Sequence, residues 1–139
     1  MRVREVMHHT VYIPSTLSVA AAVRLMGREN VDSALVRHGD VIGIVTEHDV
    51  LRKVVARDLD AAHVAVAEVM SYPLHTIDGH DGIEEASDLM VKQHIRRLVV
   101  LDKGSVIGII SAACIARNVR YITASRLIAS ELGTGESAG

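Results

Sequence analysis

The chain repeats itself, and that repeat constrains its fold more than any other feature. Glu5-Val6-Met7 recurs as Glu68-Val69-Met70, Leu25-Met26 as Leu89-Met90, and VIGIVT at 41–46 as VIGIIS at 106–111, with offsets of 63, 64 and 65 residues. An offset that grows this slowly places one-residue insertions in turns, where duplicated elements tolerate them. A first unit therefore covers residues 1–60 and a second 61–125, with DAAHVAVAEVM as the crossover between them. Tyr121–Leu132 can extend the last helix, and residues 126–139, outside the repeats, are read as the end of that extension and a frayed tail, GTGESAG. A unit of sixty residues has a marginal core of its own, so the copies are expected to pack sheet against sheet with pseudo-twofold symmetry.

The periodicities inside each unit agree. Val19, Ala22, Val23 and Met26 fall at helical spacing, with Ser18 placed to cap the first turn, and Ile83, Ala86 and Met90 repeat the stripe. SALV and VIGIVT are β-branched runs separated by RHGD, in which Gly39 and Asp40 suit a tight hairpin turn; RLVVL, DKGS and VIGIIS are the counterparts. EHDVLRKVVARD and AACIARNVR then read as helices with basic residues toward their ends. The expected class is α/β (α+β): tandem repeats, each a short β-sheet with two helices.

Composition excludes several functions. With 15 basic and 17 acidic residues the formal net charge is −2, which offers no general attraction for nucleic acid or an anionic membrane. Aromatic residues are 2% of the chain and all are tyrosine, too few for base-stacking platforms. No apolar run is long enough to span a bilayer, MRVREVMHHT lacks an apolar signal core, and the single cysteine, Cys114, suits a reducing compartment; a cytoplasmic location is expected. Of the eight histidines, His8 with His9 and His75 with His80 and Asp81 lie close in sequence, but no His-Glu-x-x-His or Cys/His spacing appears, so no metal site is expected. Neither a Gly-x-Ser-x-Gly elbow nor a phosphate-binding loop ending Gly-Lys-Ser/Thr is present, and Cys114 reads as a small packed residue. The chain is expected to be no enzyme and to carry no cofactor, with a metal-dependent hydrolase as the minor alternative.

Taken together, the EVM lead-in, PSTLSVAAAVRLM, HIRRLVVLDKGSVIGII and GIVTEHDV make the chain resemble the cystathionine-β-synthase (CBS) domain pair over nearly its whole length. The resemblance implies a regulatory module that binds an adenosine compound, AMP, ADP or ATP, in a cleft between the repeats and signals by conformational or oligomeric change. It also implies that the pattern Gly43, Thr46, Asp49 supplies groups for ribose and phosphate.

The residues themselves support that chemistry. Thr46 and Asp49 project from one helix N-terminus, where unsatisfied N–H groups attract phosphate; an aspartate accepts two bonds from a ribose diol, and a threonine hydroxyl donates to phosphate. Thr-x-x-Asp also spells a capping box, which needs no ligand and contributes about 1 kcal/mol. In the second repeat Ser111 keeps the hydroxyl but Cys114 stands where the aspartate belongs, so one competent site is expected and the Ser111 cleft is expected empty or weaker. The resemblance places Arg96 and Arg97 near ligand phosphate, with Asp32 and Ser33 as first-repeat counterparts; adjacent strand residues face opposite ways, so one arginine serves the cleft or the pair is a solvated basic edge. For adenine, the backbone of Val11, Tyr12 and Ile13 offers hydrogen bonds beside small Ser33 and Ala34, unless Val11 and Ile13 are only core and Tyr12 only covers an edge. His48 lies within the Thr46–Asp49 loop and is a candidate phosphate contact that titrates near neutrality. Alanine-rich helices with one weakly charged face point to a homodimer. The competing class is a ligand-free dimerisation or interaction module serving a protein target.

Overall fold

In the computed structural model, residues 1–72 and 74–119 are described; the expected helix extension and tail beyond residue 119 lie outside them. The elements run α1 (Val3–Val6), β1 (Tyr12–Pro14), α2 (Val19–Glu29), β2 (Ser33–His38), β3 (Val41–Thr46), α3 (Glu47–Val50), β4 (Thr76–Asp78), α4 (Ile83–Gln93), β5 (Arg97–Asp102), β6 (Ser105–Ser111) and α5 (112–119). They form two three-stranded sheets, ordered β1-β2-β3 and β4-β5-β6, flanked by helices, the mixed α+β architecture expected of the repeat.

Local chemistry accounts for the element ends. Ser18 Oγ accepts the Ala21 amide at 3.1 Å and starts α2, whose Val19, Ala22 and Met26 are buried. Val23, at the margin of the same stripe, is 42% exposed, so the core takes three of the four expected positions. Helix α4 starts from Gly82 without a side-chain cap, and Glu84 and Glu85 in its first turn complement the helix dipole. Both helices stop in a left-handed residue at the equivalent position, Asn30 (φ 54°) and His94 (φ 55°). The β2–β3 hairpin pairs Ser33 with Thr46 through His38 with Val41, turning on Gly39 at φ 60°. The β5–β6 hairpin turns on Lys103 (φ 51°) and Gly104 (φ 80°) and carries a register shift between Val100 and Leu101.

The segment after β3 departs from the expected plain helix. After α3, Leu51–Val55 is a π-helical turn in which the Ala56 amide reaches the Leu51 carbonyl at 2.9 Å. Val54, inside that turn and four residues after the partly buried Val50, packs in the same core and is 1% exposed.

The chain divides into two compact units: His9–Thr76, and Met1–His8 together with the described residues from Ile77 onward. Their cores are separate clusters, one around Val19, Val36, Val45 and Val66, the other around Val3, Leu98, Val100 and Ile110. The units are out of phase with the sequence repeats because each EVM lead-in crosses the hairpin of the other repeat. Ser71 exchanges backbone bonds with Ile44 at 2.8 and 3.0 Å, and His8 does the same with Ile109 at 2.9 and 3.0 Å. The two strand glycines make this crossing possible: a Cβ on Gly43 would meet Met70 Sδ at 2.7 Å and the Ser71 carbonyl at 3.1 Å, and one on Gly108 would meet the His8 carbonyl at 2.7 Å. Among the described residues, no helix is long and apolar enough to cross a membrane.

Candidate functional site

Strand β3 delivers Thr46 to the start of α3, and Asp49 turns back onto it. The Asp49 amide donates to Thr46 Oγ1 at 3.2 Å, while the Thr46 amide and hydroxyl donate to Asp49 Oδ2 at 2.9 and 3.1 Å. The capping box is thus formed in full, and Asp49 is buried, with 8% exposure. Its second oxygen is occupied too: Lys53 Nζ lies 3.1 Å from Oδ1, and Ser71 Oγ donates to Oδ1 at 3.5 Å. A carboxylate has about four acceptor positions, and all four are engaged here. Lys53 also donates to the Val69 carbonyl at 2.8 Å.

Across the sheet from Thr46 lies Ser33, its pairing partner on β2. Ser33 and Thr46 therefore make a row across β2 and β3, since paired residues project to the same face, and Thr10 lies in the lead-in two residues before β1. The hydroxyls of Thr10 and Ser33 are both buried with no hydrogen-bond partner, and Ser33 is 1% exposed. Buried hydroxyls without partners are uncommon in native structures and call for an explanation.

The other expected residues of this unit fall as follows. Ile13 and Ala34 are core. The Val11 carbonyl accepts the Leu35 amide at 2.8 Å, and the Ser15 amide donates to the Arg37 carbonyl at 3.1 Å, so odd-numbered residues face β2. Tyr12 accordingly turns its amide and carbonyl to the outer edge of the sheet. Its half-exposed ring has the Arg37 guanidinium 5.2 Å from the centroid. His48 is exposed on α3, with Arg52 Nη1 3.5 Å from its Nε2. Thr46, Asp49 and Ser33 come together; sequence reading missed Lys53 and Ser71. Lys53 was within reach of the rule that residues four apart on a helix are neighbours. Nothing in the sequence points from Asp49 to Ser71.

The remaining expected residues, Arg96, Arg97 and Ser111, belong to the other unit. Its corner copies the first in backbone: Arg97 pairs with Ser111 as Ser33 pairs with Thr46, and the Ala112 amide reaches the Arg96 carbonyl at 2.9 Å as the Glu47 amide reaches Asp32 at 3.1 Å. Arg96 is exposed and Arg97 partly buried. The Cys114 amide donates to Ser111 Oγ at 3.1 Å, and that hydroxyl lies 3.1 Å from Cys114 Sγ. Where Lys53 stands in the first unit, Asn118 donates to the Cys114 carbonyl at 2.8 Å. His80 is held by Asp78 Oδ1 at 3.0 Å and by Arg4 Nη1 at 3.2 Å, a cation in place of a third metal ligand. Among the described residues, no group of three or more His, Cys, Asp or Glu is arranged to hold a metal.

Comparison with known proteins assigns the fold. The CBS domain family model matches residues 3–56 and 66–121. The CBS domain-containing protein YhcV of Bacillus subtilis is 31% identical over 102 residues, covering 73% of this chain and 72% of YhcV. Protein MK0525 of Methanopyrus kandleri is 38% identical over 85 residues, and the match spans 60% of this chain but only 43% of that relative. Among solved structures, a hexameric CBS-CP12 protein from bloom-forming cyanobacteria superposes with a TM-score of 0.78 at 29% identity, covering 99% of this chain and 90% of the other. The matched segments are the two halves of the internal repeat, and the chain belongs to the CBS-domain family, with two CBS repeats.

Proposed function

We propose that the chain is a non-catalytic regulatory module whose His9–Thr76 unit binds an adenosine-containing ligand, AMP, ADP or ATP, and signals by a conformational or oligomeric change. The observation that carries this reading is the polar row Ser33–Thr46 ending beside Asp49, with the buried Ser33 hydroxyl lacking a partner. A ribose diol and a phosphate together supply the donors and acceptors such a row lacks. CBS pairs are typical of regulatory modules, and this chain carries both repeats.

A thermal-shift panel of adenosine, AMP, ADP and ATP tests the proposal. A ligand at about 100 times its Kd adds roughly 2.7 kcal/mol to the folded state, a shift of several degrees in a chain of this size. The Ser33→Ala variant should melt like the wild type alone and lose most of the ligand shift. No shift with any of the four compounds, or an undiminished shift in both Ser33→Ala and Asp49→Ala, rules the reading out.

One observation favours a second reading, a ligand-free interaction module. Leu51, Val55 and Leu59, four residues apart, are 59%, 59% and 48% exposed. Leu51 and Val55 lie on the π-helical turn and Leu59 just past it; exposed apolar residues of this kind suit burial against another chain, and the cyanobacterial CBS-CP12 relative is hexameric. If Val55→Asp changes the sedimentation of the protein while the nucleotide panel stays silent, this second reading replaces the first.

A further inference from the structure

The Asp49 carboxylate is already saturated, which poses a problem for any ribose. Oδ2 is committed to the amide and hydroxyl of Thr46, bonds that hold the start of α3. Oδ1 is held by Lys53 at 3.1 Å and by Ser71 at 3.5 Å. A diol arriving at Asp49 must displace one pair, and the Oδ1 pair is the cheaper. The Lys53 side chain is 35% exposed, so its ammonium can return to water, and the Ser71 contact is at the limit of a hydrogen bond.

Both Oδ1 partners lead to one place. Lys53 Nζ donates to the Val69 carbonyl, and Ser71 follows two residues later, exchanging backbone bonds with Ile44. Building on the proposed ribose role of Asp49, we infer that Lys53 is a latch: its ammonium occupies the carboxylate oxygen that a ribose diol requires and ties it to the 69–71 segment. Ligand binding exchanges the ammonium for the diol, releases the Val69 carbonyl and loosens the stretch that carries the chain out of this unit toward Thr76.

Two independent features agree. Lys53 sits inside the π-helical turn Leu51–Val55, a local widening often found at functional positions. In the second repeat, where Cys114 replaces the aspartate, the position four residues on is Asn118, turned to its own helix backbone. The cation of the second corner is Arg117, one position earlier, with Nη2 3.7 Å from Cys114 Sγ, so a lysine four residues on accompanies the carboxylate and not the thiol.

Isothermal titration of the full chain with adenosine, which has the diol and no phosphate, tests the latch in wild type, Lys53→Met and Lys53→Gln, with thermal melts confirming that each is folded. The latch predicts adenosine binding about fivefold tighter in both variants, the scale of one hydrogen bond to a charged group partly screened by water. It also predicts that adenosine speeds amide exchange at Met70 and Ser71 in wild type, and that both variants show the faster exchange without ligand. Tighter binding, or binding in the variants alone, supports the latch. Wild-type binding with an unchanged or weaker affinity in both folded variants overturns the latch and leaves the ribose site standing. No adenosine binding by any of the three proteins overturns the ribose reading and the latch with it.

Discussion

The two strand-to-helix corners, at Thr46–Asp49 and at Ser111–Cys114, have the same backbone bonds and opposite electrostatic content. Each closes on a hydroxyl that accepts the amide three residues on, at 3.2 and 3.1 Å. The first adds a buried carboxylate, an ammonium and the orphaned Ser33 hydroxyl opposite Thr46; the second replaces these with a thiol in contact with the Arg117 guanidinium, an amide at Asn118 and an arginine paired opposite Ser111. Helix capping alone is satisfied by either, so the extra charge of the first corner is not needed to start a helix. With Lys53 35% exposed, the pair is partly screened by water and adds little stability of its own.

The comparison can be broken at several points, beginning with the glycines. Gly108→Ala should cost about 2–3 kcal/mol and Gly43→Ala about 1 kcal/mol in thermal or urea unfolding. The difference arises because the Gly108 Cβ would strike a backbone carbonyl at 2.7 Å, whereas the shortest contact at Gly43 is the flexible end of Met70. Equal losses would show that the two crossings are equivalent. Cys114→Asp buries a carboxylate in the 4%-exposed second corner, where the Arg117 guanidinium, 3.7 Å from Cys114 Sγ, offsets part of the desolvation, and should cost about 1–2 kcal/mol. Adding Arg117→Ala should enlarge that loss in the same melts.

Smaller effects sharpen the contrast. Asp49→Ala should cost about 1–2 kcal/mol even without ligand, because it unmakes the capping box and removes the acceptor of Thr46. Loss of stability therefore cannot separate the structural from the binding role of Asp49, and the binding measurement has to do so. Ser33→Ala should change ligand-free stability by less than about 0.5 kcal/mol, since it deletes a buried hydroxyl that has no partner. The smallest expected effect is at Asp78, whose carboxyl is held below its ordinary pKa first by the His80 amide, then by the His80 ring and the Arg4 charge. A depressed folded pKa adds stability above the unfolded pKa, and that stability disappears as pH falls through the folded value. Asp78→Asn should accordingly flatten the loss of melting temperature between about pH 5 and 2.

Much of the fold could be read from residue order. The VIGIVT and VIGIIS strands, the Gly39 turn and the Ser18 cap depend on neighbours within a few positions, where backbone preference and side-chain reach are local. The same holds for Thr46 and Asp49, three residues apart, whose box was one of two readings and is present in the structure. Val23 was misplaced because a helical stripe specifies a face and not its margin. The π-helical turn escaped because the spacing of LRKVV fits a regular helix equally well.

By itself the sequence determined the duplication, the order of strands and helices, and the asymmetry between Asp49 and Cys114, since each of these is written in nearby residues. Only tertiary structure decided that every lead-in serves the other repeat's hairpin, that Ser33 lies opposite Thr46, and that Lys53 and Ser71 saturate the carboxylate. The physical reason is that these contacts join segments far apart in the chain, and burial and register, neither of which periodicity encodes, select which segments meet.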